Sequence, residues 1–75
     1  NIAETQFAEA LAVRVRDLRL RHALSQQELA DHAHLSRTVI INVERGLRLA
    51  RPQTIRKIAR ALDVPLSALT VGESE

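Results

Sequence analysis

The chain has 75 residues, enough for one small core, and folding can hide only about 60% or a little more of the surface that the unfolded chain exposes. It holds no cysteine, which excludes disulfides and thiolate zinc sites, and no run of about 18 apolar residues, which excludes a hydrophobic helical span. The formal net charge is only +2, yet all eleven Lys and Arg lie between Arg14 and Arg60 beside four acids, Asp17, Glu28, Asp31 and Glu44, whereas Glu4, Glu9, Asp63, Glu73 and Glu75 sit at the two ends. A basic middle between acidic ends fits a surface meant for a polyanion, nucleic acid above all; the plainer reading is an ordinary solvated charged surface. The chain begins at Asn1 and contains no methionine, so a piece of a longer protein is expected, and no signal-peptide pattern is visible in it.

Ala, Leu, Arg and Gln are plentiful and β-branched alternation is nearly absent, so the expected class is all-α, a compact five-helix bundle. The first helix is expected from about Thr5 to His22. Phe7, Leu11, Val15 and Leu18 recur on one stripe widened by Ala8 and Ala12, and Arg14, Arg16, Arg19 and Arg21 occupy the other faces. A second helix starts after Ser25. Ser25 and Glu28 form the S-x-x-E capping box, flanked by Leu24 and Leu29, and the helix ends near His32 or Ala33.

Ser36 caps a third helix, Arg37 to Arg45, which Gly46 stops by supplying a left-handed position. Only Ala33, His34 and Leu35 separate these two helices, the length of a helix-turn-helix connection over residues 25–45. A basic stretch from Leu47 to Arg51 leads to Pro52. A fourth helix is expected from Gln53 to Leu62, with Ile55, Ile58, Ala59 and Leu62 inward, and a short fifth from Leu66 to Leu69. The whole reads as a single domain over 1–75, ordered over about 5–70, with a frayed tail from Val71 to Glu75.

Two short helices joined by so tight a turn leave one face of the second clear of the core, and a helix fits the DNA major groove. In the third helix Ile40 and Val43, with Leu35 in the turn, form the inward set. Arg37, Thr38, Ile41, Asn42 and Arg45 then face out. Arg can pair two-pronged with guanine, Asn with adenine, and a Thr methyl can meet a thymine methyl; a phosphate clamp or a solvated charge is the plainer role for Arg37.

Five segments occur in order: Val15-Arg16-Asp17-Leu18-Arg19, Leu24-Ser25-Gln26-Gln27-Glu28-Leu29-Ala30, Leu35-Ser36-Arg37, Val43-Glu44-Arg45-Gly46 and Thr54 to Leu62. Together they resemble the lambda-repressor-like helix-turn-helix family, which includes phage repressors of the Cro and C1 type, restriction–modification controller proteins and many antitoxins. The resemblance covers about Leu11 to Leu69. It implies a cytoplasmic, bacterial or phage-encoded regulator of transcription that binds a double-stranded DNA operator, as a homodimer, without enzyme activity or cofactor.

Residue by residue, the resemblance implies base contacts from Arg37, Thr38 and Asn42 and a phosphate contact from Gln26, which follows the serine cap. It implies further phosphate contacts from Arg45, Arg48 and Arg51, and a structural ion pair between Arg19 and Glu44. Leu66, Leu69 and Val71 are either core closure or a two-fold dimer patch. The chain departs from the family pattern at Ala23 and His34, where Gly is frequent, and at Pro52, two residues later than usual. Val39 and Ile41 bring apolar groups to or beside the exposed face. An alternative function is a protein-interaction module of the same fold, an antitoxin or a bridging factor, motivated by Ile41 and the C-terminal apolar residues. His32 and His34 are two apart and would diverge on a helix, so no metal site is expected.

Overall fold

A computed structural model describes residues 2–47 and 49–69. The elements are α1 (Ile2–Arg21), α2 (Gln26–Ala33), α3 (Arg37–Arg45), α4 (Pro52–Ala61) and a single 3-10 turn, Leu66–Ala68. The count among the described residues is thus four α-helices and a 3-10 turn, not five helices. Ala68 and Leu69 donate to the carbonyls of Pro65 and Leu66, three residues back, at 2.9 Å each, so this last turn is 3-10 and not α.

Each helix boundary has a local cause. The Ser25 hydroxyl accepts from the Glu28 amide at 3.0 Å while Glu28 Oε1 accepts from the Ser25 amide at 2.8 Å, which satisfies two otherwise orphaned donors. Ser36 does the same for Val39 at 3.2 Å. Pro52 occupies the first turn of α4, where its missing N–H costs nothing. At the other ends, α1, α2 and α4 close in one way. Ala23, His34 and Asp63 take φ of 57, 58 and 57°. The next amide in each case, from Leu24, Leu35 or Val64, reaches back to the carbonyl of Arg19, Ala30 or Ala59 at 2.9–3.0 Å. These are three Schellman caps built without glycine, each sealed by a half-buried apolar side chain just past the cap.

α3 ends on Gly46 at φ +66°, and here the glycine has a second reason. A Cβ at this position would stand 3.2 Å from Ala12 Cβ and 3.3 Å from Glu9 Cα, so the end of α3 lies against α1 with no room for a side chain.

The core is made by Leu11 and Val15 of α1, Leu29 and Ala30 of α2, Ile40 and Val43 of α3, Ile55, Ile58 and Ala59 of α4, with Leu62 and Leu69. Burying a large aliphatic side chain contributes roughly 1.5–3 kcal/mol, so Ile40 alone is a large fraction of what holds α3 down. Leu69 is 2% exposed and therefore fills the core; of the C-terminal patch residues only Leu66, 42% exposed, remains at the surface. Val71 lies outside the described residues. Two readings of α1 also change. The helix starts at Ile2, a turn earlier than Thr5, and Arg19 is on the inner face with Leu11 and Val15 while Phe7 and Leu18 are only half-buried. No helix among the described residues is long and apolar enough to cross a membrane.

Candidate nucleic-acid interface

The geometry of α3 follows from its nine residues. With Ile40 and Val43 buried, the opposite side carries Arg37, Thr38, Asn42 and Arg45, all exposed. Ile41 is half-buried and does not stand clear of the scaffold, since it lies beside Arg16 and Gln26. Val39 is half-buried against the core on the other flank. The exposed ridge is therefore bordered by two depressions. One is lined by Arg16, Gln26, Ile41 and Arg45, over Arg19 and Glu44. The other is lined by Asn42, Leu47, Leu49, Ala50, Arg51 and Thr54, over Val39 and Val43.

What fixes α3 against α1 is a polar knot at the edge of the core. Arg19 Nε donates to Glu44 Oε2 at 2.7 Å and Arg19 Nη2 to Glu44 Oε1 at 3.0 Å, a two-pronged pair between α1 and α3. Arg19 Nη1 donates to the Leu24 carbonyl at 2.9 Å, and Gln26 Nε2 donates to Glu44 Oε1 at 3.2 Å. The side chains of Arg19 and Glu44 are 11% and 6% exposed, so both charges are largely out of water. The hydrogen bonds that Arg19 donates to Glu44 raise its pKa above the ordinary value against the opposing pull of burial. No buried side-chain nitrogen or oxygen among the described residues lacks a partner, which is the condition for such a knot to be tolerated.

Each residue singled out in the sequence can now be located. Arg37, Thr38 and Asn42 share the exposed ridge; Arg45 closes it. Gln26 is half-buried at the first position of α2 and tethered to Glu44. Arg51 is exposed on the far depression, and Arg48 lies outside the described residues. Sequence reasoning missed Arg16. Its signal was available: Arg16 is three residues before Arg19, so once Arg19 turns inward Arg16 is the arginine nearest it on the same side of α1.

This arrangement can be set beside known proteins. A family model described as "Helix-turn-helix" matches residues 15–69, most of the chain. The chain belongs to the helix-turn-helix family. The helix-turn-helix domain is 39% identical over 67 residues to the control protein C.BamHI of Bacillus amyloliquefaciens, covering 83% of each. It is 31% identical over 62 residues to the cryptic phage CTXphi transcriptional repressor RstR of Vibrio cholerae, covering 83% of this chain and only 55% of that protein. Among solved structures, the restriction-modification controller protein C.AhdI from Aeromonas hydrophila superposes with a TM-score of 0.79 at 37% identity, over 83% of this chain and 94% of that one. The domain therefore spans about half the length of the phage repressor and nearly all of the controller structure. Family and relatives together make it a DNA-binding domain of transcription regulation.

Proposed function

We propose that this domain reads a specific double-stranded operator by laying α3 in the major groove, with Arg37, Thr38 and Asn42 on base edges and Gln26, Arg45 and Arg51 on phosphates. The observation that carries the reading is the division of α3: Ile40 and Val43 are buried while Arg37, Thr38, Asn42 and Arg45 are exposed on one ridge. A helix with its side chains is about 10–12 Å across and the major groove about 12 Å wide, so a ridge of this kind fills the groove. Base-edge contacts then carry the sequence information, and phosphate contacts set register. Arg48, between Leu47 and Leu49, belongs to the same phosphate set by its position in the sequence.

The domain acts as a cytoplasmic regulator, folds as one unit over the chain and has no catalytic role. It works as a homodimer that spans two half-sites about 34 Å apart, with Leu66 and Pro65 beside Arg56 and Arg60 as the surface available for pairing. The rival reading, a protein-interaction module, rests on Ile41 and the C-terminal apolar residues Leu66, Leu69 and Val71. Ile41 is half-buried and Leu69 is core, so among the described residues only Leu66 of that apolar set is exposed, and the pairing surface above already uses it.

The test is a selection of bound duplexes followed by binding measurements on variants. Arg37→Ala is expected to relax preference at one base position, at about 1–3 kcal/mol, whereas Gln26→Ala weakens all duplexes alike. The reverse pattern would overturn the roles, and absence of binding to any duplex at low salt would overturn the reading.

A further inference from the structure

We propose that Arg16 is a phosphate ligand, and that the depression it shares with Gln26 and Arg45 holds a single DNA phosphodiester. The proposal rests on the DNA-binding reading above and adds to it a residue and a stoichiometry. Arg16 projects from α1, Gln26 from the first turn of α2 and Arg45 from the last turn of α3, so three separate helices converge on one hollow. Beneath them Arg19 and Glu44 cancel each other's charge in a two-pronged pair. The charge left at the mouth is that of Arg16 and Arg45. Both are exposed, and among the described residues neither has an acidic partner; the acid next to Arg16, Asp17, is paired with Arg21 at 2.9 Å.

The donors suit an anion of this size. Gln26 Nε2 spends one hydrogen on Glu44 Oε1, which pins the nitrogen end of its amide inward and leaves the second hydrogen to donate. Two guanidiniums and an amide N–H present only donors, and Ile41 walls one side with an apolar surface, so nothing in the hollow can accept a hydrogen bond from a cationic or hydroxylic ligand except the already occupied Glu44 and the amide oxygen of Gln26. The placement also fits the duplex. When α3 fills the major groove, the hollow on its flank faces one of the two phosphate rows that border the groove. Both a free phosphate and a DNA phosphodiester carry this chemistry. The second is favoured because the hollow opens beside the reading ridge.

Binding to a selected duplex is measured by fluorescence anisotropy at several salt concentrations between 50 and 200 mM for the wild type, Arg16→Ala and Arg14→Ala. Arg14 is an exposed arginine of α1 that lines neither depression. Each neutralised phosphate contributes about −0.9 to the log–log slope, so Arg16→Ala, which leaves Arg45 on the same phosphodiester, should flatten the wild-type slope by part of that amount, and an added double variant, Arg16→Ala with Arg45→Ala, should flatten it by about 0.9 in all and not by twice that, shrinking the affinity loss between the two salt limits by about 3.5-fold. Arg14→Ala should leave the slope unchanged. In a second arm single phosphates are replaced by neutral methylphosphonates. The one position at which the replacement costs less affinity in Arg16→Ala than in the wild type should be the position at which it costs less in Gln26→Ala. A wild-type slope near zero would sink the DNA-binding reading itself. A steep wild-type slope unchanged in Arg16→Ala, equal flattening by Arg14→Ala, or different phosphates for Arg16 and Gln26 would each overturn the shared site while leaving DNA binding intact.

Discussion

Replacing Ala23, His34 or Asp63 with glycine should stabilise this protein, and the gain can be worked from the backbone. Each sits at φ of 57 or 58°, each is exposed, and each makes the left-handed residue of a helix C-cap. A side chain in that conformation costs roughly 1–2 kcal/mol because Cβ crowds the following carbonyl. Glycine removes the crowding but gives back about 0.5–1 kcal/mol through the greater freedom of the unfolded chain. The net expectation is about 0.5–1 kcal/mol per site. For a domain of this size that is a rise in Tm of several degrees, at about 4–8 °C per kcal/mol. The assay is thermal unfolding followed by circular dichroism, with urea titration to obtain the free energies. The internal control is Ala10→Gly, at an exposed position inside α1, which should destabilise by about 1 kcal/mol. One and the same substitution, Ala to Gly, must therefore change sign between positions 10 and 23. If Ala23→Gly and Ala10→Gly both destabilise by similar amounts, the left-handed cap and the energetic reasoning built on it are wrong.

Two further outcomes follow from the packing. Glu44→Ala leaves the Arg19 charge nearly out of water with two of its donors orphaned, so a loss of about 3–5 kcal/mol is expected in urea unfolding; the double variant Arg19→Met with Glu44→Leu should lose markedly less, and equal losses would show that the single variant acts through something other than the stranded charge. Gly46→Ala should cost about 2 kcal/mol, since it combines φ of +66° with a Cβ only 3.2 Å from that of Ala12; a neutral result in the same melts would mean that the end of α3 stands off α1.

The parts of the fold that were legible in the sequence are those with a short-range chemical signature. Ser25 with Glu28, Ser36 and Gly46 each announce a helix boundary in a few residues, and the bounds of α3 came out as Arg37–Arg45 in both readings. The start of α1 was less legible because its apolar stripe begins only at Phe7. Ile2 to Gln6 are all exposed, so no inward-facing residue marks that first turn. Of the three glycine-free caps, those at Ala23 and His34 fall where the resemblance puts Gly, whereas the one at Asp63 was not read from the sequence; in all three the apolar seal, a half-buried Leu or Val one position later, is a tertiary contact. For the candidate site, periodicity in α3 separated the exposed Arg37, Thr38 and Asn42 from the buried Ile40 and Val43. It could not tell that Ile41 would be half-buried, nor that Arg16 would share a hollow with Gln26, Ile41 and Arg45, because three helices meet there and no window of sequence contains them all. Leu69 was ambiguous between core and dimer patch, since an apolar residue near a chain end looks alike in either role until α4 is in place against it.

The side chains exposed on α3 have no share in the core, and those in its core have no share in the exposed ridge. On the proposed reading, specificity and foldedness are written in different letters of one nine-residue word. A lineage could exchange the residues at 37, 38 and 42 and acquire a new target while Ile40, Val43 and the Arg19–Glu44 clasp keep the helix at its angle. The reading head can be retooled without recasting the body that carries it.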